Sequence, residues 1–391
     1  MVFKWRTMKL GDVINLKRGY DLPASKRIKG SIPILASSGL TGYHNNFKVK
    51  GPGVVTGRSG QIGKVFYTED DYWPLNTTLY VEDFKKNYPK YVYYLLQTLN
   101  LEKLNAGSSV PTLNRNHAHQ LEVRLPEYHL QKKIADTLFV FEEKIRVNNT
   151  IIKYLEEISR TLFKQWFIDF EFPNEDGKPY KSSGGEMLES EVGAIPNGWQ
   201  VKSLDDVAKF QNGLAMQKFR PSENNMSLPV LKIRELNQGN TTLNSERCSL
   251  DIKEEVKVFD GDVIFSWSGT LLVKIWTGGN AGLNQHLFKV TSEKYDKWFY
   301  YLWTKYYLRV FQARAAEKAT TMGHIKRSHL KEAKVFLPSQ EVLTQASKLL
   351  QPLIEKRIAL GIETKKLADL RDTLLPKLLA GEVDILDALE V

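Results

Sequence analysis

The sequence has little cysteine and no long apolar run. Cys248 is the single cysteine, so neither an internal disulfide nor a zinc site built on several cysteines is possible. Charged residues interrupt the longest apolar runs within about ten residues, too short for a membrane span. The opening residues, MVFKWRTMKL, lack the apolar stretch of a signal peptide. These absences predict a protein of the bacterial or archaeal cytoplasm.

Motifs of nucleotide chemistry are also missing. The sequence GRSGQIGK (57–64) resembles a phosphate-binding loop. However, its Gly57 to Gly63 spacing is one residue too long, and Val65 stands where a Ser or Thr would hold Mg²⁺. Neither a glycine-rich S-adenosylmethionine loop nor an Asn-Pro-Pro-aromatic tetrad is present. We therefore expect no catalytic residue and no cofactor bound by this chain.

Two further patterns resemble catalytic or metal-binding motifs but are better explained as ordinary surface residues. DIKEEVK (251–257) places an acid upstream of E-x-K, as some nucleases do, but such triplets are common in charged loops. His117-x-His119 could contribute two metal ligands, yet no nearby cysteine completes a set. We interpret both as solvated or structural residues and predict no metal site.

Positive charge is present in excess and is unevenly distributed. The net charge of +10 comes from 55 Lys and Arg against 45 Asp and Glu. Residues 1–125 carry +9 and residues 199–337 carry +7, whereas 126–198 carry −4 and 338–391 carry −2. A polyanion such as DNA would be held by the two basic blocks. Solubilising surface lysines are the alternative explanation on charge alone.

The chain repeats itself, which indicates a tandem duplication. At an offset of 212 residues, VRLPEYHLQ (123–131) matches VFLPSQEVL (335–343), and GSSVPTLNR (107–115) matches ATTMGHIKR (319–327). Other segments match at drifting offsets, as small loop insertions would produce. These are VVTGRSG with VIFSWSG, LNTTLY with LNQHLF, and KYVYYLL with KWFYYLW. The length of 391 residues also calls for two or three domains.

Each copy ends in a segment with the 3.5-residue apolar period of a coiled coil. In the first copy, the apolar positions of this seam are Ile134, Leu138, Phe141, Ile145, Ile152, Leu155 and Leu162. In the second, they are Leu350, Leu353, Leu360, Leu367 and Leu374. Asn148 and Ser159 interrupt the first seam, and Arg357 and Arg371 interrupt the second. Polar seam positions of this kind can fix the register of a helix pair.

The most specific motifs lie in and after these helices. LFKQWFIDFEFP (162–173), followed by GEMLESEVGAIPNGWQVKSL (185–204), resembles the junction that precedes the second recognition domain in type I restriction-modification specificity subunits. RDTLLPKLLAGEVD (371–384) resembles the closing segment of that family. The resemblance covers essentially the whole chain in the family's order.

The resemblance implies a non-catalytic DNA sequence-specificity subunit that reads a bipartite, asymmetric target, one half-site per recognition domain. It implies that the helices bind two methyltransferase subunits, which restriction and translocase subunits join. S-adenosylmethionine would then belong to the methyltransferase, and ATP and Mg²⁺ to the restriction partner. The alternative is the specificity subunit of a methylation-only or type IIB-like system. A scaffold that does not bind DNA would explain the helices but not the basic blocks.

The predicted fold class is α+β. A mixed α/β target-recognition domain is duplicated, each copy is followed by a long helix, and the two helices pair as an antiparallel coiled coil about a pseudo-two-fold axis. The predicted segments are recognition domain 1 (1–126), a central helical region (127–172), a linker (173–198), recognition domain 2 (199–338) and a C-terminal helical region (339–391).

Recognition of DNA needs donors and acceptors on loops, supported by Lys and Arg on phosphates. In the first domain we assign this role to Arg18, Tyr20, Ser38, Arg58, Gln61, Asn76, Ser108 and Arg115. In the second domain we assign it to Asn212, Lys218, Arg220, Arg234, Trp267, Asn284, His286, His324, Lys326 and Arg327. Asn76 and Asn284 occupy matched positions, which also fits a role in supporting the fold.

Overall fold

The computed structural model describes residues 5–104, 112–222, 226–317 and 323–383. The chain divides into two compact units. The first unit comprises Met1–Lys144 and Ala368–Val391, and the second comprises Ile145–Leu367. Within the described residues, every helix is too short or too polar to cross a membrane.

The first unit is a set of small sheets with helices packed on them. Its elements are β1 (Arg6–Lys9), α1 (Leu10–Val13), β2 (Asn15–Arg18), β3 (Ile32–Ala36), β4 (Gly39–His44), β5 (Gly53–Gly57), β6 (Val65–Thr68), β7 (Trp73–Pro74), β8 (Thr78–Asp83), α2 (Pro89–Thr98), α3 (Arg115–His119), β9 (Glu122–Leu125) and the first part of α4 (Tyr128–Phe163). An antiparallel sheet has the order β2-β8-β5-β6, a second sheet has the order β4-β3-β7, and β1 pairs with β9. Strand β5, GVVTG, is buried along its whole length, as its short apolar run between turn residues predicts.

The second unit contains the same kinds of element. They are the rest of α4, β10 (Met187–Ser190), β11 (Gly193–Pro196), β12 (Gln200–Ser203), α5 (Leu204–Val207), β13 (Lys209–Asn212), β14 (Ser227–Leu231), α6 (Ile233–Gln238), β15 (Arg247–Ser249), β16 (Lys257–Val258), β17 (Val263–Ser266), β18 (Leu272–Ile275), β19 (Ala281–Leu283), β20 (Leu287–Thr291), α7 (Lys297–Glu317), α8 (Arg327–Glu332), β21 (Lys334–Leu337) and α9 (Gln340–Ala380). The part of α9 from Ala368 onward belongs to the first unit. Its sheets have the orders β13-β20-β17-β18 and β15-β14-β19-β16, and β12 pairs with β21.

The two units confirm the predicted duplication strand by strand. The sheet β13-β20-β17-β18 repeats β2-β8-β5-β6, the pair β12–β21 repeats β1–β9, and β15-β14-β19 repeats β4-β3-β7 with β16 added. An isolated bridge joins Ser59 to Thr112 in the first unit and Ser268 to His324 in the second. Thr112 and His324 lie 212 residues apart, the offset found in the sequence.

Aromatic side chains fill the core of the second unit around the junction motif. Phe163 at the end of α4 contacts Trp303 of α7, with 4.9 Å between ring centroids. Phe172 stacks on Trp199, with centroids 5.1 Å apart and planes at 26°. The segment 173–198, expected to be a linker, forms the hairpin β10–β11 and buries Ile195 in this core. The aromatic residues of LFKQWFIDFEFP are therefore core residues of the second unit.

In the second unit, α4 and α9 run antiparallel. The Asn148 amide donates to the Glu363 carboxylate (2.8 Å). Eight residues further along α4, Glu156 accepts from Arg357, which lies six residues earlier in α9 (3.3 Å). Opposite directions of numbering define an antiparallel pair, and this confirms that part of the predicted fold class. Asn148, Ser159 and Arg357, which interrupt the apolar seam, are all held inside the unit.

The predicted seam residues pack within this chain. Ile134 and Leu138 belong to the core of the first unit, and Leu350 to that of the second. The remaining seam residues are buried or half-buried. These are Phe141, Ile145, Ile152, Leu155, Leu162, Leu353, Leu360, Leu367 and Leu374. These residues, predicted to lie on the helices that bind partner subunits, thus pack at least in part against their own chain.

Candidate DNA-binding surfaces

In the first unit, the predicted loops contact one another at the ends of the main sheet. The backbone N–H groups of Arg58 and Ser59 both donate to the Thr77 carbonyl, at 2.9 and 3.1 Å. The N–H of Ser37 donates to the Thr77 hydroxyl (3.4 Å), and that of Leu113 donates to the Arg58 carbonyl (2.8 Å). We call this set the first loop surface, and it comprises residues 18–21, 37–39, 57–61, 75–78 and 112–115.

Gly19 brings the first of these loops against the fourth. Its N–H donates to the Thr78 carbonyl (3.1 Å), and the next residue, Tyr20, donates to the Pro74 carbonyl (2.8 Å). A Cβ atom at Gly19 would overlap the carbonyl oxygens of Pro74 and Leu75. This close approach of two backbones explains why the motif NLKRGYD requires glycine here.

The predicted side chains of this surface differ in availability. Those exposed to solvent are Arg18, Ser38, Gln61 and Arg115. Arg58, Tyr20 and Asn76 are half-buried, and the last two also form side-chain hydrogen bonds. The Tyr20 hydroxyl lies 3.0 Å from the Tyr80 hydroxyl, and the Asn76 amide donates to the Asp21 carboxylate. Burial and the Tyr20 contact raise the pKa of Tyr80 above its ordinary value, so this hydroxyl stays protonated. Ser108 lies outside the described residues.

The second unit builds an equivalent surface. The Trp267 N–H donates to the His286 carbonyl (3.3 Å), and the Trp267 carbonyl accepts from Ile325 (3.0 Å). The N–H of Gly269 donates to the Gly323 carbonyl (2.9 Å). We call this set the second loop surface, and it comprises residues 211–214, 266–270, 283–287 and 323–327.

Gly213 occupies the position that Gly19 has in the first unit. It donates to the Leu287 carbonyl (3.0 Å), and a Cβ here would overlap the carbonyl oxygens of Leu283 and Asn284. The two units therefore build their loop surfaces from the same backbone contacts, although most of the side chains differ.

Several predicted residues of the second unit have structural contacts. Asn284 is buried, and its side-chain oxygen accepts from the His286 N–H (3.3 Å), so it shapes the turn. The Arg327 guanidinium donates to the Phe210 carbonyl and lies 5.5 Å from the centre of the Phe288 ring. Both residues support the surface, and Arg327 is also exposed.

The other predicted residues of this unit fall into two groups. Asn212, His324 and Lys326 are exposed on the second loop surface, and Trp267 and His286 are half-buried there. Lys218, Arg220 and Arg234 are exposed but lie outside the loops that define the surface. The Arg234 guanidinium is paired with the buried Glu235 carboxylate (2.7 Å).

The prediction missed two residues. Thr77 connects three loops of the first surface, and its hydroxyl and carbonyl both accept hydrogen bonds. Gln285 is exposed beside His286, with 3.3 Å between the side-chain nitrogens. Thr77 follows Asn76 in LNTT and Gln285 follows Asn284 in LNQH, so both lie in turns that the repeated motif had already indicated.

Within the described ranges, the motifs that could have supplied metal ligands or a phosphate-binding loop have other surroundings. No group of three His, Cys, Asp or Glu residues there could hold a metal ion. His119 accepts a hydrogen bond from the Leu16 N–H (3.0 Å), and burial together with Arg115 and Lys85 lowers its pKa. GRSGQIGK connects β5 to β6, whereas a phosphate-binding loop leads from a strand into a helix.

A different kind of surface lies on α4 in the second unit. Four apolar side chains spaced by four, three and four residues are exposed to solvent: Val147, Ile151, Tyr154 and Ile158. This spacing places them on one face of the helix. They alternate with the seam residues Ile152 and Leu155, which face inward. We call these four residues the outer stripe.

Comparison with known proteins identifies the family. The model for the type I restriction modification DNA specificity domain matches residues 3–157 and again residues 196–370. The MjaIX specificity subunit of Methanocaldococcus jannaschii is 29% identical over 86% of this chain and 78% of its own length. The HindI specificity subunit of Haemophilus influenzae is 21% identical over 75% and 77%.

The fold is also shared with a solved structure. The crystal structure of the type I restriction-modification S subunit from M. genitalium superimposes with a TM-score of 0.63, at 16% identity, over 96% of both chains. The two matches to the family model cover most of the chain and coincide with the two copies of the repeat. The chain therefore belongs to the type I restriction-modification DNA specificity family, with two recognition domains in tandem.

Proposed function

We propose that the chain is the non-catalytic DNA-reading subunit of a type I enzyme and that each loop surface binds one half of a bipartite target. One observation carries this proposal: the two surfaces have the same backbone framework but different side chains. A shared framework with different side chains fits two half-sites of different sequence. The positive charge of residues 1–125 and 199–337 supports contact with phosphates.

The proposed boundaries of the reading domains are residues 1–126 and 199–338, with helical regions at 127–172 and 339–391. The helical regions would bind two methyltransferase subunits, to which restriction and translocase subunits are added. S-adenosylmethionine would be bound by the methyltransferase, and ATP with Mg²⁺ by the restriction partner.

For the contact with the methyltransferase we propose the outer stripe of α4. Tyr154 is 57% exposed and Ile158 47% exposed, an arrangement that leaves apolar area in water. The seam residues are less exposed, because each is buried or half-buried within this chain. An apolar helix on the methyltransferase would complete the packing of the outer stripe.

Sequencing of methylated adenines in DNA from cells that express the chain with its methyltransferase tests the proposal. We expect one asymmetric, interrupted motif, and each half of it should change when the corresponding loop surface is altered. A methylation pattern that does not depend on this chain would contradict the proposal. DNA cleavage by the assembled complex with ATP separates a restricting system from the methylation-only or type IIB-like alternative.

A further inference from the structure

The residue that follows the central strand of each main sheet occupies the same backbone position in both units. Arg58 follows β5 and Trp267 follows β17. The N–H of Arg58 donates to the carbonyl of Thr77, the residue before the neighbouring strand β8, and the N–H of Trp267 donates to that of His286, the residue before β20. Each carbonyl accepts a hydrogen bond, that of Arg58 from Leu113 and that of Trp267 from Ile325. With the backbone matched, the side chain alone distinguishes the two positions.

We propose that this position reads bases by different chemistry in the two half-sites: Arg58 contacts guanine in the first, and Trp267 contacts the methyl group of thymine in the second. The proposal rests on the DNA-reading function proposed above and adds the class of base that each surface selects.

The surroundings of Arg58 leave its guanidinium available. Its backbone is fixed at both ends by hydrogen bonds, whereas in the described part of the chain its side chain has no hydrogen-bond or ion-pair partner. A guanidinium with two free N–H groups on a fixed backbone suits the paired acceptors O6 and N7 of guanine in the major groove.

The surroundings of Trp267 favour an apolar contact. Its ring is half-buried against Phe288 and His286, with centroids 5.7 and 6.0 Å away. The indole Nε1 is buried and has no hydrogen-bond partner among the described residues. Because the polar N–H group is turned inward, only hydrocarbon edges of the ring reach the surface.

A hydrocarbon edge neither neutralises a phosphate nor exchanges hydrogen bonds with a base. In the major groove, the apolar group available for contact is the 5-methyl of thymine. Trp267 therefore selects thymine by burying this methyl group.

The test uses the full chain assembled with its methyltransferase and duplexes that contain the motif found by methylation sequencing. Thymines of one half-site at a time are replaced by deoxyuridine, which removes the methyl group and keeps every hydrogen-bonding group. Guanines are replaced in the same way by 7-deazaguanine, which removes the N7 acceptor.

We expect deoxyuridine in the second half-site to weaken binding about fourfold for the contacted methyl group, the factor that corresponds to burial of about 0.8 kcal/mol. Trp267→Ala should remove this difference between thymine and uracil. Trp267→Phe preserves an aromatic ring in the core and lacks the N–H, so it should retain the difference. In the first half-site, 7-deazaguanine should weaken binding by wild type but not by Arg58→Ala.

Equal affinity for thymine and uracil in the second half-site would overturn the assignment of Trp267, as would a full difference that persists in Trp267→Ala. Either outcome would indicate that the Trp267 ring stacks on a base or has only a structural role. If 7-deazaguanine has the same effect on wild type and Arg58→Ala, the assignment of Arg58 is wrong. A complex that binds the motif no better than random DNA would instead contradict the proposed function itself.

Discussion

At the scale of single residues, burial separates side chains that build the loop surfaces from those free to contact DNA. The sequence match aligns Asn76 with Asn284, but in the structure Asn284 makes the backbone contacts that Leu75 makes in the first unit, so Asn76 corresponds to Gln285. Asn76 and Asn284 each form a side-chain hydrogen bond inside their own unit. Gln285, one residue further along, is exposed. The residue types in LNTT and LNQH suggested DNA contacts, but a turn exposes only some of its side chains, and the tertiary structure selects which.

The matched glycines give a reciprocal prediction. A methyl group at Gly19 would displace the turn at Leu75, and one at Gly213 would displace the turn at Asn284. Inserting an extra group into a packed site costs about 1–3 kcal/mol of stability. We therefore expect Gly19→Ala to distort the first loop surface and weaken recognition of the first half-site, and to leave the second intact. Gly213→Ala should do the reverse.

Competition binding with duplexes mutated in one half-site measures both effects, and each variant serves as the control for the other. If either variant lost recognition of both half-sites, the substitution would have unfolded more than its own loop surface.

At the scale of elements, the long helix α4 carries two glutamates, Glu142 and Glu156, whose surroundings shift their pKa values in opposite directions. Burial alone would raise the pKa of Glu156, but Lys305 at 3.0 Å and Arg357 at 3.3 Å more than offset it, and the pKa lies below the ordinary 4.5. Burial also raises the pKa of Glu142, where Arg371 at 4.0 Å offsets it only in part. The sequence shows two glutamates in α4 and two arginines in α9, each pair 14 residues apart, and cannot distinguish the two environments or identify Lys305 of α7 as a partner.

Glu156→Gln should lower the free energy of unfolding by about 1–2 kcal/mol at pH 7, because it leaves two half-buried cations without their carboxylate. A carboxylate with a depressed pKa stabilises the folded state above its unfolded pKa, and this contribution disappears as the pH falls through the folded pKa. The gap between variant and wild type should therefore close below pH 4.5.

Urea unfolding at pH 7 and in acid measures this gap, with Glu157→Gln on the exposed side of the helix as the control. A gap that is the same at both pH values would show that the ion pairs contribute nothing.

Glu142→Gln should change the free energy of unfolding in the opposite direction. A carboxyl whose pKa is raised by folding favours the folded state below its unfolded pKa, and this contribution is lost as the pH rises through the folded pKa. At pH 7 we expect the variant to be at least as stable as wild type, with a gain of up to about 1 kcal/mol. Unfolding in the same urea series checks this result, and a clear loss at pH 7 would show that the Arg371 contact outweighs burial.

At the scale of the whole molecule, α4 has one face that packs inside its unit and an exposed apolar face, the outer stripe, that we propose as the partner contact. Ile151→Glu places a charge on the outer stripe, whereas Leu155→Glu, on the same helix, places one among inward-facing residues. We expect Ile151→Glu to keep the melting temperature and lose co-purification with the methyltransferase.

Leu155→Glu should instead destabilise the chain by about 1–3 kcal/mol, because a charge enters a half-buried position. Melting curves combined with pull-down of the methyltransferase separate the two effects. Normal assembly of the Ile151→Glu protein would exclude the outer stripe as the contact surface.

The sequence by itself determined the duplication, the α+β class and the presence of two long helices. Repeated motifs such as VVTGRSG and VIFSWSG, and the 3.5-residue period around Leu155, are local patterns that can be recognised without knowledge of the fold. Only the tertiary structure decided which loop side chains form hydrogen bonds within their unit, that the segment 173–198 packs as a hairpin, and which face of α4 is covered. These features depend on contacts between residues far apart in the chain, such as Arg58 with Thr77 or Glu156 with Arg357, and packing alone establishes them.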